Sequence, residues 1–84
     1  MIDKNTLLQK LNDSFIIEYF KYNEEVKEKT MVSMEVDDGV LHIKENLTSN
    51  GAEINSKSIE DFEDRDDILD EIVSPLNNTK YSMC

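Results

Sequence analysis

Between Ser58 and Val73 the chain places eight carboxylates beside one cation, Arg65, a local net charge of −7. Carboxylates at this density accept hydrogen bonds and pair with lysine and arginine. At about 100° per residue, Glu60, Glu63, Asp64, Asp67, Asp70 and Glu71 fall on one side of a helix. Ile59, Phe62, Leu69, Ile72 and Val73 fall on the other. Residues 60–71 would cover about 18 Å of helix axis, or one acid per roughly 2.2 Å. Duplex DNA carries one charge per about 1.7 Å of its axis. A surface that holds phosphates could hold such a row instead, and these six acids are the candidate partner-binding residues. The acids lack the D-x-D-x-D-G spacing of a calcium loop, so no metal site is expected.

Little else in the chain could do chemistry. His42 is the only imidazole, Cys84 the only thiol, and Gly39 and Gly51 the only glycines. Nucleophilic catalysis needs a serine or cysteine beside a base. A phosphate-cradling loop needs more glycine than two separated residues supply. The expectation is a protein that binds, with no catalytic residue, cofactor or metal.

The whole chain has 19 acids against nine lysines and arginines, a formal net charge of −10. Outside residues 58–73 the balance is eleven acids to eight bases, so the charge is concentrated. Such a polyanion repels nucleic acid and anionic membranes and attracts basic proteins. Neither direct nucleic-acid binding nor a membrane partner is expected. No apolar run reaches membrane-spanning length, and no signal-peptide pattern opens the chain. A lone cysteine excludes an intramolecular disulfide and fits a reducing, cytoplasmic compartment.

The elements that must position the acids follow from local pattern. Eighty-four residues make one domain, here assigned to 1–75, with 76–84 as a tail. Asp3 caps a short first helix, and Ile2 and Leu7 form its hydrophobic staple. Asn12-Asp13-Ser14 breaks it. Phe15 to Tyr22 is β-branched and aromatic, which predicts a strand. The same stretch also fits an alternative, one long helix from about Lys4 to Lys29. Residues 23–29 are then a charged loop. Asp38-Gly39 predicts a type I′ hairpin. Its register pairs Val36 with Leu41 and Met34 with Ile43 on one face, Glu35 with His42 and Ser33 with Lys44 on the other. Residues 46–57 read as a polar loop. Ser58 and Asp61 resemble a capping box opening a helix from Ile59 to Val73, which Ser74-Pro75 stops.

The expected fold is therefore α+β: a short N-terminal helix, a three-stranded antiparallel sheet and an acidic C-terminal helix. That helix carries like charges four residues apart at Glu60–Asp64, Glu63–Asp67, Asp66–Asp70 and Asp67–Glu71. Each such pair costs about 0.2–0.5 kcal/mol. Only Asp61–Arg65 offers relief. Ile68 falls off the apolar stripe. Ile16, Phe20 and Tyr22 point away from the strand face that carries Phe15, Ile17 and Tyr19, and two helices leave one of these faces uncovered, from which a homodimer is expected.

The acidic row and the element order resemble small phage-encoded inhibitors that mimic DNA. These include acidic anti-CRISPR proteins, phage inhibitors of the nucleoid protein HU, and the uracil-DNA glycosylase inhibitor. The likeness in layout is to an α-β-β-β-α anti-CRISPR type. It implies that the carboxylates stand in for phosphates on a basic DNA-binding protein inside an infected bacterial host. The departure lies in Glu24, Glu25 and Glu28, which are interleaved with Lys27 and Lys29. The alternative function is an immunity or antitoxin protein that neutralises a basic toxin. A third reading gives the acids to solubility alone.

Overall fold

Alternating burial organises the structure, a computed structural model that describes residues 2–77. Four strands form one antiparallel sheet in sequence order: β1 (Ile17–Asn23), β2 (Glu28–Asp37), β3 (Val40–Leu47) and β4 (Glu53–Ile59). Helices α1 (Lys4–Asn12) and α2 (Asp66–Leu76), with Phe62 from the connection between β4 and α2, supply the rest of one core. Ile17 and Tyr19 of β1, Val32 and Met34 of β2, and Leu41 and Ile43 of β3 are buried with Leu7 and Leu11 of α1 and with Ile68, Leu69, Ile72 and Leu76 of α2. The strand residues between them, such as Phe20, Met31 and His42, occupy the helix-free face.

The broad α+β class holds, and the sheet has one strand more than expected. Residues 53–59 are a strand and not part of a polar loop. The reason is visible in their burial: every residue of β4 except Ile59 is exposed. A strand solvated on both faces needs no hydrophobic alternation, so the period-2 signal is missing. The element order is thus α-β-β-β-β-α, which departs from the α-β-β-β-α layout. The single long helix from Lys4 to Lys29 is ruled out, because residues 17–23 pair with β2.

Local chemistry explains the remaining boundaries. The Thr6 amide donates to the Asp3 carboxylate at 2.8 Å, which caps α1. The helix ends where Ser14 turns to φ 66°. Asp38 and Gly39 both take positive φ, as a type I′ turn requires. The β2–β3 register matches the expected pairs, Met34 with Ile43 and Glu35 with His42 among them. The Asn23 side chain accepts from the amides of Glu25 and Val26 and so shapes the β1–β2 turn.

The acidic segment differs most from expectation. Ile59 is the last residue of β4, paired with Leu41 and buried. The chain then turns through Asp61, at φ 52°, makes one 3₁₀ turn over Phe62–Asp64, and enters α2 only at Asp66. Ser58 caps nothing; its Oγ lies 2.9 Å from Nδ1 of His42 across the sheet. Asp61 does not pair with Arg65, which binds Asp67 instead. A single helix over 59–73 would stack like charges at 60–64 and 63–67, each pair unfavourable. The turn takes both pairs out of one continuous helix and still buries Ile59 and Phe62. At the other end α2 runs through Pro75 to Leu76, which is buried. Proline removes one backbone donor in the last turn, a loss tolerated there more readily than mid-helix. Asn77 ties this end to the start of the chain: Ile2 N donates to its Oδ1 at 2.7 Å, and its Nδ2 donates to the Ile2 carbonyl at 2.6 Å. Leu76 and Asn77 therefore belong to the folded unit and not to a tail. Ile68, expected off the apolar stripe, is core. Residues 78–84, Cys84 included, lie outside the described residues.

Candidate functional site

Two elements present the candidate acids. On α2, Ile68, Leu69, Ile72 and Leu76 face the core, so Asp66, Asp67, Asp70 and Glu71 face solvent. Residues 66–71 rise only about 7.5 Å, so these four carboxylates crowd along less than two turns. Glu60, Glu63 and Asp64 continue the acidic surface from the β4–α2 connection and are exposed as well. Ile59 and Phe62, 7% and 2% exposed, pin that connection on either side of Glu60 and Asp61. The six expected site residues are all exposed, on two elements where one helix was expected.

Their electrostatic settings differ. Asp67 receives a two-pronged hydrogen bond from Arg65, at 3.1 Å from Nε and 3.0 Å from Nη2. This holds the Asp67 carboxyl below its ordinary pKa and raises Arg65. Lys4 of α1 approaches Asp66 at 3.8 Å and Asp70 at 3.5 Å. Asp66 and Asp67 also sit in the first turn of α2, where the helix dipole favours acids. These contacts offset the remaining like-charge pairs, Asp66–Asp70 and Asp67–Glu71. The side chains of Glu60, Glu63, Asp64 and Glu71 make no hydrogen bond or ion pair among the described residues. Their acceptor capacity faces solvent.

Beside the helix lies a cleft that the pattern of acids alone does not reveal. Its lining includes Tyr19 and Lys21 of β1, Glu45 of β3, Asn55 and Lys57 of β4, and Glu71 of α2, around a volume of about 80 Å³. Glu45 is only 5% exposed. Its Oε2 accepts from Thr30 Oγ1 at 2.6 Å and from Asn23 Nδ2 at 2.9 Å. Its Oε1 has Lys21 Nζ at 3.9 Å, a loose ion pair. Burial pushes the Glu45 carboxyl up, but the bonds from Asn23 and Thr30, with Lys21 and Asn55, outweigh it and hold the pKa low. Tyr19, 4% exposed, has its phenol pushed far up by burial and by the charges of Glu45 and Glu71. A usable signal did exist. Leu41 and Ile43 alternate onto the core face, and the same period carries Glu45 there.

The low Glu45 pKa has a consequence for stability. A carboxylate whose folded pKa lies below its unfolded value stabilises the fold above the unfolded pKa. That contribution is lost as pH falls through the folded value. The urea midpoint should therefore drop between pH 5 and pH 3, and Glu45→Gln should flatten this drop while lowering the midpoint at pH 7. An equal acid-induced drop in the variant would show that other carboxylates govern the transition.

Among the described residues no group of three or more histidine, cysteine, aspartate or glutamate side chains is placed to hold a metal ion. No helix among them is long and apolar enough to cross a membrane. The helix-free sheet face carries Phe20 and Met31 as cross-strand partners, with Tyr22 and Ile16 44% and 63% exposed. Lys29 Nζ sits 4.7 Å from the Phe20 ring centroid. In comparison with known proteins, the chain matches no family model, no curated protein and no solved structure.

Proposed function

We propose that this protein is a non-catalytic acidic inhibitor that mimics DNA and occupies the basic DNA-binding surface of another protein. The observation that carries the reading is the run of exposed carboxylates from Glu60 to Glu71, several with no partner inside the fold. Solubility alone does not require acids to be concentrated in one segment, and a net charge of −10 would serve it however distributed. Crowded carboxylates on a short helix and its lead-in turn offer lysine and arginine the acceptors that a phosphate backbone offers. The proposed targets are a nucleoid protein of the HU type, a nuclease effector, or another DNA-binding protein in the bacterial cytoplasm. The test is a pull-down from bacterial lysate with and without competing duplex DNA. A captured basic DNA-binding protein that duplex DNA releases is the expected result. A captured partner that DNA does not release would favour the immunity or antitoxin reading instead.

Self-association belongs to the same proposal. A two-fold contact places one patch against its own copy, so the apolar surface of Phe20, Tyr22 and Met31 on the helix-free face would cover itself. Sedimentation equilibrium at tens of micromolar should then give the dimer mass, and a monomer mass would contradict it.

A further inference from the structure

We infer that the cleft between α2 and the β3–β4 pair takes a guanidinium group, the head of an arginine side chain. Its assignment to an arginine of a protein partner rests on the function proposed above; the chemistry of the cleft does not.

Three acceptors face this space. Glu45 spends Oε2 on Thr30 and Asn23, and its remaining contacts are the Asn55 side chain and a loose ion pair from Lys21 to Oε1 at 3.9 Å. The Tyr19 hydroxyl has no hydrogen-bond partner among the described residues, although the side chain is 4% exposed. Glu71 stands on the helical wall with no ion pair among those residues. Val32, Ile43, Ile68 and Ile72 supply apolar walls. Acceptors against apolar surface suit a planar, weakly hydrated cation better than a compact ammonium, which is more costly to desolvate. At about 10–15 Å³ for each water-sized site, the 80 Å³ volume holds about five waters or more. That is ample for the four heavy atoms of a guanidinium and part of its stem.

The charged groups lining the cleft are Glu45, Glu71, Lys21 and Lys57, formally neutral in sum. They are not equally placed. Lys21 has its side chain 37% exposed and can swing outward, leaving its share of the Glu45 carboxylate, beside Asn55, to a guanidinium. Lys57 belongs to the solvated strand β4 and is exposed. The field at the Tyr19 hydroxyl is set by Glu45 and Glu71, both of which disfavour its ionisation. Glu45 is the one buried charge of the cleft, and Glu71, Lys21 and Lys57 are more open to solvent. Glu71 also belongs to the acidic surface of α2, so an arginine seated here would lie next to the other carboxylates.

The test is an amide-resolved NMR titration of the full chain with ethylguanidinium chloride at constant ionic strength. Butylammonium and propionate serve as parallel ligands. Ethylguanidinium should give saturable shifts at Tyr19, Lys21, Glu45, Asn55 and Ile72, stronger than butylammonium, and propionate should give none. Lys57→Gln should tighten ethylguanidinium binding about threefold, because it removes a like charge at the rim. Glu45→Gln and Tyr19→Phe should each weaken it at least severalfold. If Glu45→Gln unfolds the chain, Lys57→Gln on the exposed strand still decides the sign. Shifts confined to residues 60–67, or no saturation, would overturn the inference. So would saturation by propionate with loss on Lys57→Gln, which would mark an anion site. No protein partner enters this titration. Its failure is therefore distinct from failure of the DNA-mimic reading, which the pull-down tests.

Discussion

Replacing Glu60 and Glu63 by Gln and Asp64 and Asp70 by Asn should weaken binding to a DNA-binding partner on the order of 100-fold. Four exposed charge contacts at roughly 0.7 kcal/mol each give nearly 3 kcal/mol, and each 1.4 kcal/mol is tenfold. The control neutralises Glu24, Glu25, Glu28 and Glu53 with Gln. It also removes four negative charges, but from the β1–β2 turn and the start of β2 and β4. It should cost about threefold or less, as expected for a weakened long-range field alone. Both variants should remain folded, with unfolding free energies within about 0.5 kcal/mol of the parent. Glu60, Glu63 and Asp64 make no internal ion pair among the described residues, and Lys4 keeps Asp66 after Asp70 is neutralised. Calorimetric titration at two salt concentrations checks the comparison. Equal losses in the two variants would reduce the acids to a diffuse field. No loss in either would leave them to solubility.

Phe62→Ala should remove about 3–5 kcal/mol of stability, read from urea denaturation. Phe62 is 2% exposed and packs in the core cluster with Ile59 and Leu69. Truncating a buried phenylalanine removes apolar burial and leaves a cavity. Domains of this kind carry only about 5–15 kcal/mol in total, so the loss is a large share. Phe62 also anchors the turn that carries Glu60, Glu63 and Asp64. Phe62→Leu keeps most of the volume and should cost under about 1.5 kcal/mol. A small loss in the alanine variant would mean that the turn is not held by this side chain.

Legibility tracked local signal. The Asp3 cap and the Asp38-Gly39 hairpin were readable because each depends on residues a few positions apart. The hairpin register followed from the turn, and with it the buried face of Leu41, Ile43 and Met34. The strand expected over residues 15–22 is readable from its residue types and lies at 17–23, with Phe15 and Ile16 exposed before it, although helical spacing also fits the stretch. Only tertiary pairing with β2 decided between them. Strand β4 was hidden because its two faces and outer edge are solvated, and hydrophobic pattern reports burial. The missed strand then displaced the start of α2. Ile59 and Phe62 have helical spacing with Leu69, yet Ile59 reaches the core from a strand and Phe62 from a 3₁₀ turn. The six candidate acids remain exposed after this change, because exposure of acids does not depend on the element that carries them. Glu45 shows the opposite case. A single carboxylate in a strand looks ordinary until the register places it on the core face.

Carboxylates that occupy the site phosphates would otherwise fill must compete with DNA for it, and a competition titration addresses this directly. A purified DNA-binding partner is saturated with fluorescent duplex DNA, and anisotropy is followed as this protein is added. Full displacement is predicted, with the apparent affinity of the protein falling in proportion to the DNA present. An affinity that does not change with DNA concentration, or a ternary complex of partner, DNA and this protein, would contradict it.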